Sequence, residues 1–467
     1  MAAHAQFDPL RFLLVITRRR ATEVLLSTHA SRWSLPSLEV PAGRRLAKQL
    51  VAGIKQNYRL ETYCLSVNSS PTSCEGVSPS THAVIEALRQ DDEAPAGMVW
   101  ISAAALESQS AFLAADEAVV RNSLADLNRH IAEPEVGPFA RPGWIDELRD
   151  WVREQIDPLG VRLTGKFQQF NASPTFSLIR IETTGAAVWF KATGEPNAHE
   201  RPISIALHRF FPNYVPRILG VHPIWNGWLT EEAPGSTLDD LPSVRAWVEA
   251  ARALAELQIA SVAKTQVLLE SECKDLRVHE LARQIEPFLT RVRELMAKQT
   301  KHPPPILTDS EIDVLGDGLR KAFSELEQYR LPYTLGHLDP NPRNIIVSPE
   351  SCCFLDWAEG CVTHPLFTFE YFREHSQRCL PQTNALTEKL VAAYIEPWKS
   401  FVSPNTLRQA MSISPLLAVF ACAVADKRWH YPETLCDPSL AGFFRSLARR
   451  AHREAVETAA RSDRCLV

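Results

Sequence analysis

The segment that leaves this chain the fewest folding choices is LGHLDPNPRNIIVSPESCCFLDWAEG, Leu335 to Gly360. Pro340 and Pro342 supply no N–H and fix their own φ, so the stretch from Asp339 to Asn344 is neither helix nor central strand. Ile345 to Val347 and Cys352 to Leu355 are short apolar runs joined by a Ser348-Pro349-Glu350 turn, which predicts two paired strands. An irregular loop entering such a pair lets Asp339 and Asn344 point into one cleft, with Asp356 emerging opposite Asn344. His337, Asp339 and Asn344 form H-x-D-x-x-x-x-N, and Asp356 follows twelve residues later. A carboxylate that receives a hydroxyl proton, together with an amide oxygen and a second carboxylate that hold magnesium, are the parts phosphoryl transfer requires.

Upstream of this loop, strands come first and helices later. Trp144, Leu148, Trp151, Val152 and Ile156 recur at helical spacing. Phe176 to Glu182 alternates, Thr184-Gly185 signals a turn, and Ala187 to Ala192 is apolar, which predicts a hairpin. Ile203, Ala206, Leu207 and Phe210 give a helical face, and Gly227 to Glu231 reads as a strand. From Pro242 helices dominate, one with Val244, Trp247, Val248, Ala251, Leu254 and Leu257 on a face, and another opening on a Thr308–Glu311 capping box. A small sheet lobe followed by a larger helical one is the expected order, an α+β arrangement.

The catalytic-loop segment resembles that of the aminoglycoside and choline kinase-like phosphotransferases. The resemblance covers Trp144 to the C-terminal region and implies a bilobal protein-kinase-like fold. It implies ATP and Mg2+ as nucleotide and metal, and a small-molecule substrate phosphorylated on a hydroxyl. Asp339 would be the catalytic carboxylate and His337 the brace of its loop, with Asn344 and Asp356 holding the metal. VWFKATGEPNAHE is similar to the family's lysine strand and following helix, so Lys191 would grip phosphates and Glu200 would pair with it. Gln168 to Thr175 lacks glycine, which leaves Asn171, Ser173 and backbone amides to cover the phosphates; Asn-Ala-Ser-Pro is equally an ordinary turn. GWLTEEAPGSTL resembles the segment joining the lobes, with backbone groups from Glu231 to Ala233 facing adenine and Pro234-Gly235 bending the chain away. Two positions depart from the pattern. Leu338 stands where glycine is usual, and Thr368 where an aspartate is expected. They leave open a catalytically inactive scaffold. Glu359, Glu370, Asp426, Trp429 and His430 are candidates for lining the acceptor site.

Residues 1–132 differ in character. Phe12 to Ile16 and Glu23 to Ser27 read as paired strands. RWSLPSLEVPAGRRLAKQLVAGIKQNYRLET looks like a Nudix segment, which implies an extra N-terminal α/β domain. Gly53, Gln56 and Asn57 fall where that family keeps metal-binding glutamates. A diphosphate hydrolase needs clustered carboxylates for its cations, so this domain is expected to be non-catalytic. Three prolines and two glycines in EPEVGPFARPG mark 133–143 as a linker. The expected units are therefore 1–132, a nucleotide lobe at 144–235 and a helical lobe at 236–467. Asn68 to Thr81 reads as a surface loop, and Lys301 to Pro305 as a proline-rich connector.

A chain of 467 residues exceeds one core, and a net charge of -5 gives no basic stripe for nucleic acid. The arginines at 445, 449, 450, 453, 461 and 464 are expected on the solvated face of a last helix. No run is seen to reach the roughly 18 apolar residues of a membrane span. Ten cysteines without metal-type spacing suggest a reduced, cytoplasmic protein, with Cys361, Cys379 and Cys422 as core side chains.

Overall fold

The computed structural model describes residues 9–29, 32–41, 45–68, 81–106, 112, 114–380 and 383–464. Positions 69–80 of the expected surface loop lie outside them. The chain divides into two compact units, Met1–Arg201 with Ile218–Glu232, and Pro202–Arg217 with Ala233–Val467.

The first unit contains two sheets. One is built on β1 (Leu10–Arg18), antiparallel to β2 (Glu23–His29), with β3 (Arg32–Ser34) beyond it. Phe12 of β1 faces Leu38 of β4 (Ser37–Val40), and α1 (Leu46–Tyr58) follows. β5 (Thr62–Asn68) pairs with β6 (His82–Ala87), which runs parallel to β1 with Val84 opposite Val15. β7 (Met98–Ser102) pairs with β2, then come α2 (Ala103–Leu106) and α3 (Ala114–Ala132). Phe12, Leu14 and Ile16 pack in one core with Ala47, Leu50 and Ile54 of α1, while Val15 enters another. A strand buried on both faces reads as the apolar run seen there.

The second sheet follows α4 (Trp144–Ile156). It comprises β8 (Leu163–Ala172), β9 (Ser177–Thr183), β10 (Val188–Ala192), β11 (Ile218–Val221) and β12 (Gly227–Glu231), in the antiparallel order β11-β12-β10-β9-β8. One core takes side chains from both sheets, among them Val15, Tyr63, Trp144, Ile179 and Phe190. The 133–143 stretch expected as a linker is itself part of that core. Phe139 is 2 % exposed, its ring 5.0 Å from Trp144 and 5.3 Å from Trp225. Prolines and glycines shape the path of this segment, but its aromatic side chain decides where it lies.

α5 (Glu200–Phe210) begins in the first unit and ends in the second. The second unit then runs through β13 (Ser236–Thr237), α6 (Val244–Ser261), α7 (Thr265–Glu270), β14 (Lys274–Leu276), α8 (Val278–Arg283), α9 (Ile285–Ala297) and α10 (Asp309–Gln328). Thr308 and Glu311 form the expected capping box. β15 (Thr334–His337), β16 (Ile345–Val347), β17 (Cys352–Phe354) and β18 (Gly360–Thr363) precede α11 (Pro365–Cys379), α12 (Asn384–Trp398), α13 (Pro404–Ala425) and α14 (Pro438–Arg464). Two small sheets, β13-β16-β17 and β14-β18-β15, sit against the helices.

Three sequence expectations change here. α13 is, by length and composition, apolar enough to cross a membrane, with its apolar window 72 % buried inside the protein. A helix enclosed by its neighbours is apolar all round. The arginines of α14 are not all solvated: Arg449 donates to the Pro305 carbonyl at 2.7 Å, and Arg450 pairs with Glu374 over the Tyr371 ring. Long stems cover apolar surface while their heads find acceptors. Cys379 is exposed at the end of α11, whereas Cys361 is buried.

Candidate active site

β16 and β17 pair as expected, with Ile345 opposite Phe354. One step further down this hairpin, Leu355 N–H donates to the Asn344 carbonyl at 2.7 Å, so Asn344 and Asp356 flank the foot of the hairpin. The loop that leads in is a short 3-10 turn, Pro342–Asn344, capped by the Asn341 side chain accepting from Arg343 N–H at 3.1 Å. Asn344 Nδ2 lies 3.4 Å from the Asp339 carbonyl oxygen. Asp356 adopts φ 65°, ψ 62°, a left-handed conformation that aspartate tolerates better than most residues. Asp339 and Asp356 are both exposed, and Asn344 is half-buried.

His337 joins the two carboxylate-bearing segments. Its Nδ1 accepts the Asp339 N–H at 3.2 Å, and its Nε2 lies 3.0 Å from the Leu355 carbonyl. These partners fix the tautomer with hydrogen on Nε2. Burial lowers the pKa of the ring, partly opposed by the Leu355 carbonyl and by the charges of Asp356, Asp339 and Glu359. The Asp339 and Asp356 carboxylates therefore act on the same neutral imidazole, which also packs against Trp357 at 4.7 Å.

Both departures from the family pattern are accommodated. Leu338 turns inward and is 6 % exposed, while its N–H donates to the Glu359 carbonyl at 3.3 Å. Thr368 is fully buried, and its hydroxyl accepts the His337 N–H at 2.9 Å. A neutral hydroxyl thus supports the strand that carries His337. Sequence reasoning marked Thr368 only as a difference, because nothing local shows that α11 docks on β15.

In the first unit, Lys191 lies on β10 between Leu178 and Trp228, and its ammonium is bonded to the buried carboxylate of Glu200 at the start of α5. Ser173 sits in the β8–β9 turn, where its hydroxyl accepts Phe176 N–H at 2.9 Å, a local turn contact. Glu231 ends β12 opposite Val188. Next to it Glu232, expected only for its backbone, accepts Arg180 Nε and Nη2 at 2.6 and 2.8 Å and Trp189 Nε1 at 3.0 Å through its side chain. That arginine holds the Glu232 carboxyl below its usual range and fixes the strand end before Ala233. Ala233 is half-buried and opens the second unit's return to β13.

The acceptor candidates separate into two groups. Glu370 is buried, bonded to Arg373 and to the Ser414 hydroxyl at 2.8 Å, and Trp429 is buried with His430 stacked on it at 3.7 Å. Glu370 and Trp429 are packing positions, whereas His430 is exposed. Glu359 and Asp426 remain partly accessible. His375, not foreseen, lies close enough to Asp339 to feel its charge. Among the described residues no three His, Cys, Asp or Glu side chains gather as a metal cluster. Asn344 and Asp356 offer instead two hard oxygen donors, a set that fits Mg2+, which keeps much of its water.

Among solved structures, a Plasmodium vivax ethanolamine kinase is similar at 16 % identity and TM-score 0.44, covering 65 % of this chain and 83 % of its own. A macrolide 2'-phosphotransferase from Brachybacterium faecium aligns at 15 % and 0.43, over 65 % and 97 %. A choline/ethanolamine kinase family protein from Mesorhizobium loti aligns at 16 % and 0.44, over 66 % and 94 %. No curated protein matches this chain. Residues 210–398, which include His337, Asp339, Asn344 and Asp356, match the model of the phosphotransferase enzyme family, APH.

Proposed function

We propose that this protein is an ATP-dependent phosphotransferase that moves the γ-phosphoryl group to a hydroxyl of a small molecule. The observation that carries the reading is the single imidazole of His337, bonded to the Asp339 N–H and to the Leu355 carbonyl so that both carboxylate segments are locked together. In this reading Asp339 orients the acceptor hydroxyl and receives its proton. The acceptor oxygen bonds to the γ-phosphorus as the bond to the β,γ-bridging oxygen breaks, and ADP leaves. Lys191, held by Glu200, engages the nucleotide phosphates, Ser173 and the amides of its turn cover them, and the main chain of Glu231 and Ala233 serves adenine. Asn344 and Asp356 hold Mg2+, which when bound neutralises phosphate oxygens.

An inactive scaffold drew its support from Leu338, Thr368 and the non-catalytic N-terminal region. The first packs inward and the second replaces a carboxylate with a bonded hydroxyl, so neither removes a chemically required group. For the N-terminal region we propose a Nudix-like, non-hydrolytic role: α1 has no acidic residue in its first turn, and Gly53, Gln56 and Asn57 carry no charge. Metabolite pools incubated with ATP test the main reading. Wild type should phosphorylate an acceptor, and Asp339→Asn should lower turnover by about 100- to 10,000-fold. Equal turnover in both proteins would sink the assignment of Asp339.

A further inference from the structure

The β8–β9 turn, Ser173 to Phe176, has no glycine and few donors to offer. Pro174 has no N–H. The Ser173 N–H donates to the Phe176 carbonyl at 3.2 Å, and the Phe176 N–H to the Ser173 hydroxyl oxygen at 2.9 Å. Among the described residues, the Thr175 N–H and the hydroxyl hydrogens of Ser173 and Thr175 find no acceptor in the chain. Three such groups serve a phosphate chain well only if the turn is held in one shape. A turn that samples several shapes binds in proportion to the share that is competent.

That hold comes from outside the hairpin, mostly from residues earlier in the chain. The Phe139 N–H donates to the Pro174 carbonyl at 3.1 Å, and the Phe139 ring is fixed against Trp144 and Trp225. Two residues earlier, Gly137 lies between Pro174 and His130. A Cβ there would come within 3.1 Å of the Pro174 Cβ and 2.5 Å of the His130 ring. His130 belongs to the last turn of α3 and is 7 % exposed. The strand that leads into the turn is held in the same way. Gln169 hydrogen-bonds both backbone groups of Cys64, Phe170 lies under the Arg45 guanidinium at 4.8 Å, and Ala172 packs on the core that α1 shares with β1. On the other side of the turn Gly194 makes room for Thr175, whose Oγ1 would lie 2.4 Å from a Cβ at that glycine. All of these contacts fall within the first compact unit.

We infer that residues 130–139 form a strap that presets the phosphate-covering turn, with His130, Gly137 and Phe139 as positioning residues for the nucleotide. The inference rests on the proposed phosphotransferase reading and gives the region before α4 a task in it. Packing from behind supplies the placement that the turn's own sequence does not.

The test uses the full chain and two variants. Gly137→Ala crowds the strap against Pro174 and His130, and His130→Ala removes what the strap rests on. Residue-resolved hydrogen exchange is measured without nucleotide, and binding of Mg-ATP and of adenosine by calorimetry. In wild type the Ser173 and Phe176 amides should exchange at least about 100-fold more slowly than those of an open loop. Both variants should speed these two amides about tenfold, while the amides of the central strand β10 keep their rates. The Kd for Mg-ATP should rise about tenfold, and that for adenosine, which brings the turn no phosphate, by less than about twofold. Fast exchange of the two amides in wild type, an unchanged Kd for Mg-ATP in a folded variant, or equal losses for ATP and adenosine would overturn the inference. Should neither variant fold, the wild-type exchange rates decide alone. If wild type protects both amides yet binds no Mg-ATP, the phosphotransferase reading has failed and not the strap.

Discussion

The hydroxyl of Thr368 satisfies the His337 N–H at a place where neither residue meets water. Thr368→Val keeps the shape and removes the acceptor, leaving a buried N–H unpaired. That should cost about 1–3 kcal/mol, read as a lower urea midpoint, while Thr368→Ser should stay near wild type. A valine variant as stable as wild type would show that this bond contributes nothing. Histidine burial also sets how the protein answers acid. Burial lowers the pKa of His337 and brings that of His364 to about 3. Unfolded histidine titrates near 6.5. As pH falls below that value the unfolded chain gains protons that these native rings refuse, so stability is lost from about pH 6.5 downward. For His364 the loss continues toward pH 3, at about 1.4 kcal/mol per pH unit. His364→Asn keeps an acceptor for the Leu366 N–H that His364 caps, and it should make the acid limb shallower by about that slope. An unchanged slope in urea titrations at successive pH values would refute the claim.

At the scale of elements, the hairpin bearing Asn344 is steadied by β13, where Ser236 faces Val347. The chain reaches that pairing through Gly235 at φ 122°, a conformation L side chains rarely adopt, and a Cβ there would lie 2.3 Å from the Val347 carbonyl oxygen. Gly235→Ala must therefore push β13 off β16. The expected cost is about 1–3 kcal/mol, with a smaller rise in Tm on adding Mg-ATP than wild type shows; a full rise at unchanged Tm would clear Gly235 of this role. The pairing of β16 with β17 was legible because prolines, a turn and two apolar runs are all local. β13 and β14 were not, since two or three residues carry no period and their partners lie far along the chain. For the same reason Lys274, whose ammonium is paired with Glu359, escaped notice although Glu359 did not: only the register of β14 on β18 brings the two together. α13 was underread as well, its Ser412, Ser414 and Pro415 breaking up an apolar run that packing makes continuous.

At the scale of the whole chain, the change in composition near 133–143 suggested a tethered N-terminal domain, and the structure instead gives residues 1–132 and the β8–β12 sheet one core. Sequence shows where a chain bends, but it does not show that Phe139 and Trp144 will find Tyr63 and Trp225. Two polar contacts seal the junction. Gln169 on β8 acts as a missing strand, its Oε1 accepting Cys64 N–H at 2.8 Å and its Nε2 donating to the Cys64 carbonyl at 2.9 Å. The Gly143 N–H at the head of α4 donates to the buried Glu86 at 2.8 Å. A fragment 133–467 would expose the Trp144 side of this core and remove the Cys64 partners of the Gln169 amide. It should therefore aggregate, or show a smaller rise in Tm with Mg-ATP than the one the proposed function predicts for the full chain. Within the full chain, Gln169→Ala leaves both Cys64 groups unpaired in a buried setting, at about 1–3 kcal/mol for each. An independently folded appendage would behave otherwise: the fragment would keep the full chain's Tm and its response to Mg-ATP, and Gln169→Ala would be silent. Finding both together would mean that the β8–β12 sheet needs nothing from the first 132 residues.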